Sequence, residues 1–150
     1  MDLSSILGEL PRQTRPDGTW LEDAGLDVTA MARKMLEAGA RLSTISALAR
    51  PDGETDLIYH YSLDRNAVNL RTRTHQQQIA SITTVTQAAG WIEREIHDLY
   101  SVEFLGHPDL ARLVRPVEVP EGFYREQGGA AGKAERDAAA KTAKNKPAGT

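Results

Sequence analysis

The stretch from Arg41 to Thr74 leaves this chain few folds to choose from. Arg41–Ala49, Asp56–Leu63 and Ala67–Thr74 each alternate in side-chain character at the period of a strand. Only the turns Pro51-Asp52-Gly53-Glu54 and Asp64-Arg65-Asn66 separate them. Connections that short join strands antiparallel, because a parallel pair needs a crossover of a dozen or more residues. The stretch therefore predicts a meander. Its second strand puts Leu57, Tyr59, Tyr61 and Leu63 on one face and Ile58, His60 and Ser62 on the other. Its third sets Val68, Leu70 and Thr72 against Asn69, Arg71 and Arg73. A sheet with one apolar face must bury that face under something.

Two helices are available to cover it. Asp27 is a good N-cap, Val28, Met31, Ala32, Met35 and Leu36 follow at helical spacing, and Gly39 ends the run. A second helix is expected from Trp91 to Val102. The order helix, meander, helix predicts an α+β fold: a two-layer domain whose antiparallel three- to four-stranded meander packs against helices. Residues 1–10 read as a short helix or arm anchored by Ile6, Leu7 and Leu10, and Pro11 to Gly18 as turns. Thr19–Leu21 reads as a short strand. Gln76–Gln78 is expected to open a short helix, and Ile79–Val85 to form a connecting strand.

At 150 residues the chain holds one domain of modest core. We place it at 1–126. From Gln127 the composition collapses to Gly, Ala, Lys and other polar residues, and 127–150 hold five Lys/Arg against two Asp/Glu. Such a segment cannot bury enough to order itself, so 127–150 is expected to be a flexible, disordered basic tail. Absence of cysteine excludes disulfides, thiolate-bound zinc, iron–sulfur clusters held by this chain and a thiol nucleophile. No segment has the pattern of a signal peptide or of a membrane span, so any membrane association is expected to be indirect.

On a helical wheel Trp91, Val102, Leu99, Ile92, Ile96 and Tyr100 fill one arc of the second helix, and Glu93, His97, Ser101, Arg94 and Asp98 fill the other. Glu95 falls inside the apolar arc, where an unpaired carboxylate costs several kcal/mol. That position calls for a partner, from this chain or another. Arg94 and Asp98 are spaced as an i,i+4 ion pair. Beyond the helix, Gly106-His107-Pro108-Asp109 reads as a turn into a second short helix, with Pro108 at its first position.

Chemistry beyond docking finds little support. Glu93 and His97 are four apart and could share a metal ion in a metal-dependent hydrolase, yet Glu95 lies well over 90° away and no HExxH motif occurs. GxSxG, GxGxxG and GxxxxGK[ST] are also missing from the chain. Arg71 and Arg73, with the basic tail, invite a nucleic-acid reading. They lack interleaved aromatics and sit in an acidic domain, so no nucleic acid is expected.

Trp91-Ile92-Glu93-Arg94-Glu95-Ile96-His97-Asp98-Leu99-Tyr100, with Phe104 and Gly106-His107-Pro108-Asp109-Leu110, resembles the signature of the C-type, 30-kDa subunit of respiratory complex I and of its relatives in energy-converting membrane-bound [NiFe]-hydrogenases. The resemblance covers roughly residues 20–126. It implies a non-catalytic, cofactor-free subunit on the cytoplasmic face of a membrane complex. This subunit would dock on a large catalytic subunit beside small iron–sulfur subunits, and those partners would carry the nickel–iron or iron–sulfur groups. It marks Trp91, Glu93, Arg94, Glu95, Asp98, Tyr100, Phe104, Gly106, His107, Pro108, Asp109 and Arg112 as signature and interface residues. Ser101 stands where the family often has glycine, and Ala111 replaces the first of two arginines. Ile96-His97-Asp98 and the ending Val119–Arg125 look more like the hydrogenase relatives, which are therefore expected first, with complex I itself as the alternative.

Overall fold

A computed structural model describes residues 3–128. Helix α1 (Leu3–Leu7) leads into the hairpin β1 (Arg12–Arg15) and β2 (Gly18–Glu22). Then come helix α2 (Val28–Glu37) and the strands β3 (Arg41–Ala49), β4 (Thr55–Leu63) and β5 (Asn66–Arg73). Short β6 (Gln78–Ala80), helix α3 (Ala89–Tyr100), short β7 (Glu103–Leu105) and helix α4 (Phe123–Gly128) complete the order. The expected tail lies outside the described residues except for 127 and 128, which close α4.

The meander forms as expected, β3 against β4 and β4 against β5, both antiparallel. The sheet is wider than three or four strands, however. Its order is β1-β2-β5-β4-β3, with β2 parallel to β5. Residues 12–15, expected as turns, form the outer strand because β2 offers them a ladder, and their own side chains are mostly exposed. Asp27 caps α2 by accepting the Ala30 N–H at 2.9 Å. Leu21, Leu57, Tyr59, Tyr61, Val68 and Leu70 on the sheet meet Val28, Met31 and Met35 of α2 and Ala89 and Ile96 of α3 in one core. At about 25 cal/mol per Å² of apolar surface, this burial is the main driving force of the fold.

Two expectations near the core fail for local reasons. The expected helix at Gln76–Gln78 is a tight turn with Gln76 and Gln77 at φ 54° and 57°. His75 and Gln78 exchange backbone hydrogen bonds across it. Positive φ at two non-glycine residues is costly, and Glu54 offsets that cost by accepting both of their N–H groups, at 2.8 and 3.1 Å. The Thr74 hydroxyl is the main reason the Glu54 pKa lies below the ordinary range; the two backbone donors add to it against burial. Ile79–Val85 forms only the short β6, parallel to β7, before turning.

At the C-terminus of α3, Ser101 adopts the left-handed conformation, φ 58° and ψ 33°. This is the constrained backbone that the resemblance led us to expect at Ser101. Its hydroxyl donates to Glu121 at 2.8 Å, an exposed bond of small value. Ser101→Gly is therefore expected to stabilise the protein by about 1 kcal/mol, read as a thermal midpoint a few degrees higher.

Candidate functional site

Helix α3 carries the signature, and its burial is the reverse of the wheel's prediction at three acids, Glu93, Glu95 and Asp98. Glu93 is 0% exposed. Glu95, expected inside the apolar arc, is exposed, and so is Trp91, at 73%. The inference that Glu95 is a buried charge in need of a partner is overturned. The buried stripe runs through Ala89, Glu93 and Ile96, with Gly90 beside it. Small residues one turn before Glu93 explain the rotation. A Cβ on Gly90 would stand 3.4 Å from the Thr83 methyl, so this end of the helix lies directly against the 81–83 segment. The carboxylate then reaches donors that no helical period reveals.

Those donors are ample. Glu93 accepts from the Ser81 hydroxyl at 2.5 Å, the Ile82 N–H at 2.8 Å and the Thr83 hydroxyl at 2.9 Å. His107 lies 3.9 Å away through Nε2. The His107 ring accepts the Asp109 N–H at Nδ1, which assigns its proton to Nε2, and Nε2 donates to the Gly90 carbonyl at 3.0 Å. Burial pushes the Glu93 pKa up, against the three hydrogen bonds and His107. The hint in the sequence was the hydroxyl pair Ser81/Thr83 ahead of Ala89-Gly90.

Asp98 and Arg94 do not pair with each other as their spacing suggested. Asp98, 1% exposed, accepts the N–H groups of Leu113, Val114 and Arg115 at 2.8, 2.8 and 3.2 Å. Burial opposes its ionisation, but these three donors and Arg115 outweigh it and lower its pKa. Arg94 donates to the carbonyls of Ala111 and Arg112 at 2.9 and 3.1 Å and lies 3.8 Å from Asp109. The short helix expected after Pro108 is not formed. The backbone donors it would need go instead to His107, Asp109 and Asp98, and residues 106–119 run as an irregular strap along α3.

The remaining signature residues fall into place around that strap. Phe104 is 1% exposed in the core, and Gly106 turns the chain at φ 82°. Tyr100 packs its ring 5.7 Å from that of Tyr124. Pro108, Asp109 and Arg112 are exposed. Glu93 and His97 do not converge on a common point. His97 donates through Nδ1 to the Val102 carbonyl at 2.9 Å, while Glu93 is enclosed by 81–83. The geometry therefore holds a shaped surface in place. Its exposed apolar members are Trp91, at 73%, with Val114 and Val117 of the strap, at 51% and 72%.

The chain is similar to known proteins. Residues 22–127 match the model of the respiratory-chain NADH dehydrogenase 30 kDa subunit family. The C-type subunit of NADH-quinone oxidoreductase from Sinorhizobium medicae is 38% identical over 68 residues, 43% of this chain and 33% of that protein. The mitochondrial NADH-ubiquinone oxidoreductase 30.4 kDa subunit of Neurospora crassa is 34% identical over 125 residues, 74% of this chain and 44% of that protein. The chain thus spans less than half the length of these relatives. A solved Nqo5 trypsin-resistant fragment shares the fold, with a TM-score of 0.60 and 22% identity over 73% of this chain and 100% of that one. The chain belongs to the respiratory-chain NADH dehydrogenase 30 kDa subunit family.

Proposed function

We propose that this chain is a C-type subunit of an NADH-quinone oxidoreductase, binds no cofactor itself, and docks on the large subunit of the complex beside its iron–sulfur subunits. The single observation that carries the reading is how α3 uses its polar side chains. Glu93, Arg94, Asp98 and His107 all hydrogen-bond inside the chain to hold backbone in place, while Trp91, Val114 and Val117 face outward. An exposed Trp on a helix whose polar groups are engaged inside the chain fits the anchor of an interface. The relatives' names support complex I over the hydrogenase-type membership expected from the chain's ending. Among the described residues no helix is long and apolar enough to cross a membrane. In this reading the subunit reaches the cytoplasmic face of the membrane through its partners.

Purification of a tagged copy from its own cells tests this, with the co-purifying subunits identified by mass spectrometry. NADH-quinone oxidoreductase subunits are expected; hydrogenase subunits in their place would overturn the reading. Trp91→Ala is expected to leave the melting curve within about 0.5 kcal/mol of wild type, because the ring is exposed. Recovery of the large subunit is expected to fall by about tenfold or more.

A further inference from the structure

The five-stranded sheet ends on two unlike edges. β1 closes one of them and is blunted: four residues long, it lies between Pro11 and Pro16 with Arg12 and Arg15 at its ends. Proline and charge on a short strand keep further strands from adding. β3 closes the other edge. It is nine residues long, and between Arg41 and Arg50 it holds neither charge nor proline.

The ladder fixes which backbone groups β3 turns outward. Successive residues of an antiparallel strand bond alternately to one side and the other. Thr55 accepts the Thr74 N–H at 2.9 Å and so bonds towards β5. Asp56, Ile58 and His60 therefore bond towards β3, where they face Leu48, Ser46 and Thr44. The Arg50 N–H, donating to the Glu54 carbonyl at 2.9 Å, keeps the same phase. Ile45, Ala47 and Ala49 are left with N–H and C=O pointing away from the sheet. Among the described residues none of these groups has a hydrogen-bond partner. Ile45 is buried in the core and Ala47 packs against it, while Leu48, on the opposite face, is 49% exposed.

We propose that the outer edge of β3 is a docking site for an extended segment of a partner protein, which adds to the sheet as a further strand. Donors and acceptors repeating every second residue along a strand are matched by another strand, so the unpaired groups themselves specify this occupant. The layers of a sheet carry across its ladder. The added segment is therefore apolar on the side of Ile45 and Ala47 and uncharged beside Thr44 and Ser46. A second copy fits worse, because antiparallel self-pairing centred on Ile45 or Ser46 brings Arg41 of one copy close to Arg50 of the other at both ends. The chain's own end is a poor match too, since residues 129–150 contain no Val, Ile, Leu, Phe, Tyr or Trp. That the partner is a subunit of the complex rests on the function proposed above; the edge does not.

Amide exchange of the full chain, alone and in the assembly purified through a tag, reads the edge directly. In the free chain the Ile45, Ala47 and Ala49 amides are expected to exchange at least about tenfold faster than those of Thr44, Ser46 and Leu48, and in the assembly to slow to match them. Ala47→Pro removes an outward N–H and leaves the bonds to β4 in place. It is expected to fold with an unchanged melting curve and to lower recovery of the co-purifying subunits about tenfold. Should that variant unfold, Ala49→Pro repeats the test at the next outward N–H. Fast exchange at Ile45, Ala47 and Ala49 alongside co-purified subunits overturns the proposal, and so does unchanged recovery with a folded proline variant. Slow exchange already in the free chain also overturns it: dependent on concentration, it assigns the edge to a second copy, and independent of concentration, to this chain's own residues. Failure of any subunit to co-purify counts against the function. The edge is then decided by a peptide of alternating Thr and Val with Glu at each end, expected to shift the Ile45 and Ala49 amides in wild type and not in Ala47→Pro. Absence of those shifts overturns the proposal.

Discussion

Glu93→Ala is expected to destabilise the fold by about 3–5 kcal/mol, the cost of stripping the acceptor from a buried network. The Ile82 N–H and the Ser81 and Thr83 hydroxyls would lose their buried acceptor between α3 and the 81–83 segment. Glu93→Gln is expected to cost only about 1 kcal/mol, since an amide oxygen can still accept the Ile82 N–H and the two hydroxyls can turn to accept. Glu95→Ala is expected to change stability by less than about 0.5 kcal/mol because Glu95 is exposed. Denaturant melts of the three variants check this ranking.

The pH dependence of the same site has a definite sign. Burial raises the Glu93 pKa in the folded state, so the fold holds this proton more tightly than the unfolded chain does. The stabilisation this contributes is complete below the unfolded glutamate value and is lost as pH rises through the folded one. Glu93→Gln removes that slope. Relative to wild type, the variant is therefore expected to gain stability with rising pH across the window just above the ordinary glutamate range. Two parallel stability curves would show that the carboxyl does not titrate there.

Asp98→Ala is the second large effect, about 3 kcal/mol, because one carboxylate holds three consecutive backbone N–H groups. Its consequence is local as well as global. The strap from 106 to 119 has no helix or strand of its own, and it is tied to α3 by those bonds, the two from Arg94 and the His107–Gly90 bond. Amide exchange at Leu113–Arg115 is expected to lose its protection, and recovery of the large subunit is expected to fall with it. Here the folded pKa is lowered, so the stabilisation is present above the unfolded aspartate value and disappears as pH falls through the folded one. Unchanged exchange at 113–115 in Asp98→Ala would refute the role assigned to this side chain.

The two acids show where sequence reasoning stops. The wheel ranked α3 by apolarity and set Trp91 inside and Glu93 outside. The reverse holds because Glu93 meets hydroxyl and amide donors from a segment some ten residues upstream, while the described residues leave Trp91 73% exposed. The Arg94/Asp98 spacing likewise predicted an ion pair, whereas both side chains bond to backbone 15 or more residues away. The widening of the sheet was hidden too. Arg12–Arg15 has no alternation to read, and the parallel ladder of β2 with β5 joins residues almost fifty positions apart.

Sequence alone determined the elements whose causes are local: the Asp27 cap, the α2 stripe and the meander with its core face. Hydrophobic period, capping and turn chemistry act over a few residues and are therefore written in neighbouring letters. Tertiary structure decided which acids are buried, what holds the strap, and that the sheet widens to five strands. Each of these depends on donors and acceptors brought together from distant parts of the chain. A buried carboxylate is tolerated only where such partners converge, and that convergence is a property of the folded chain.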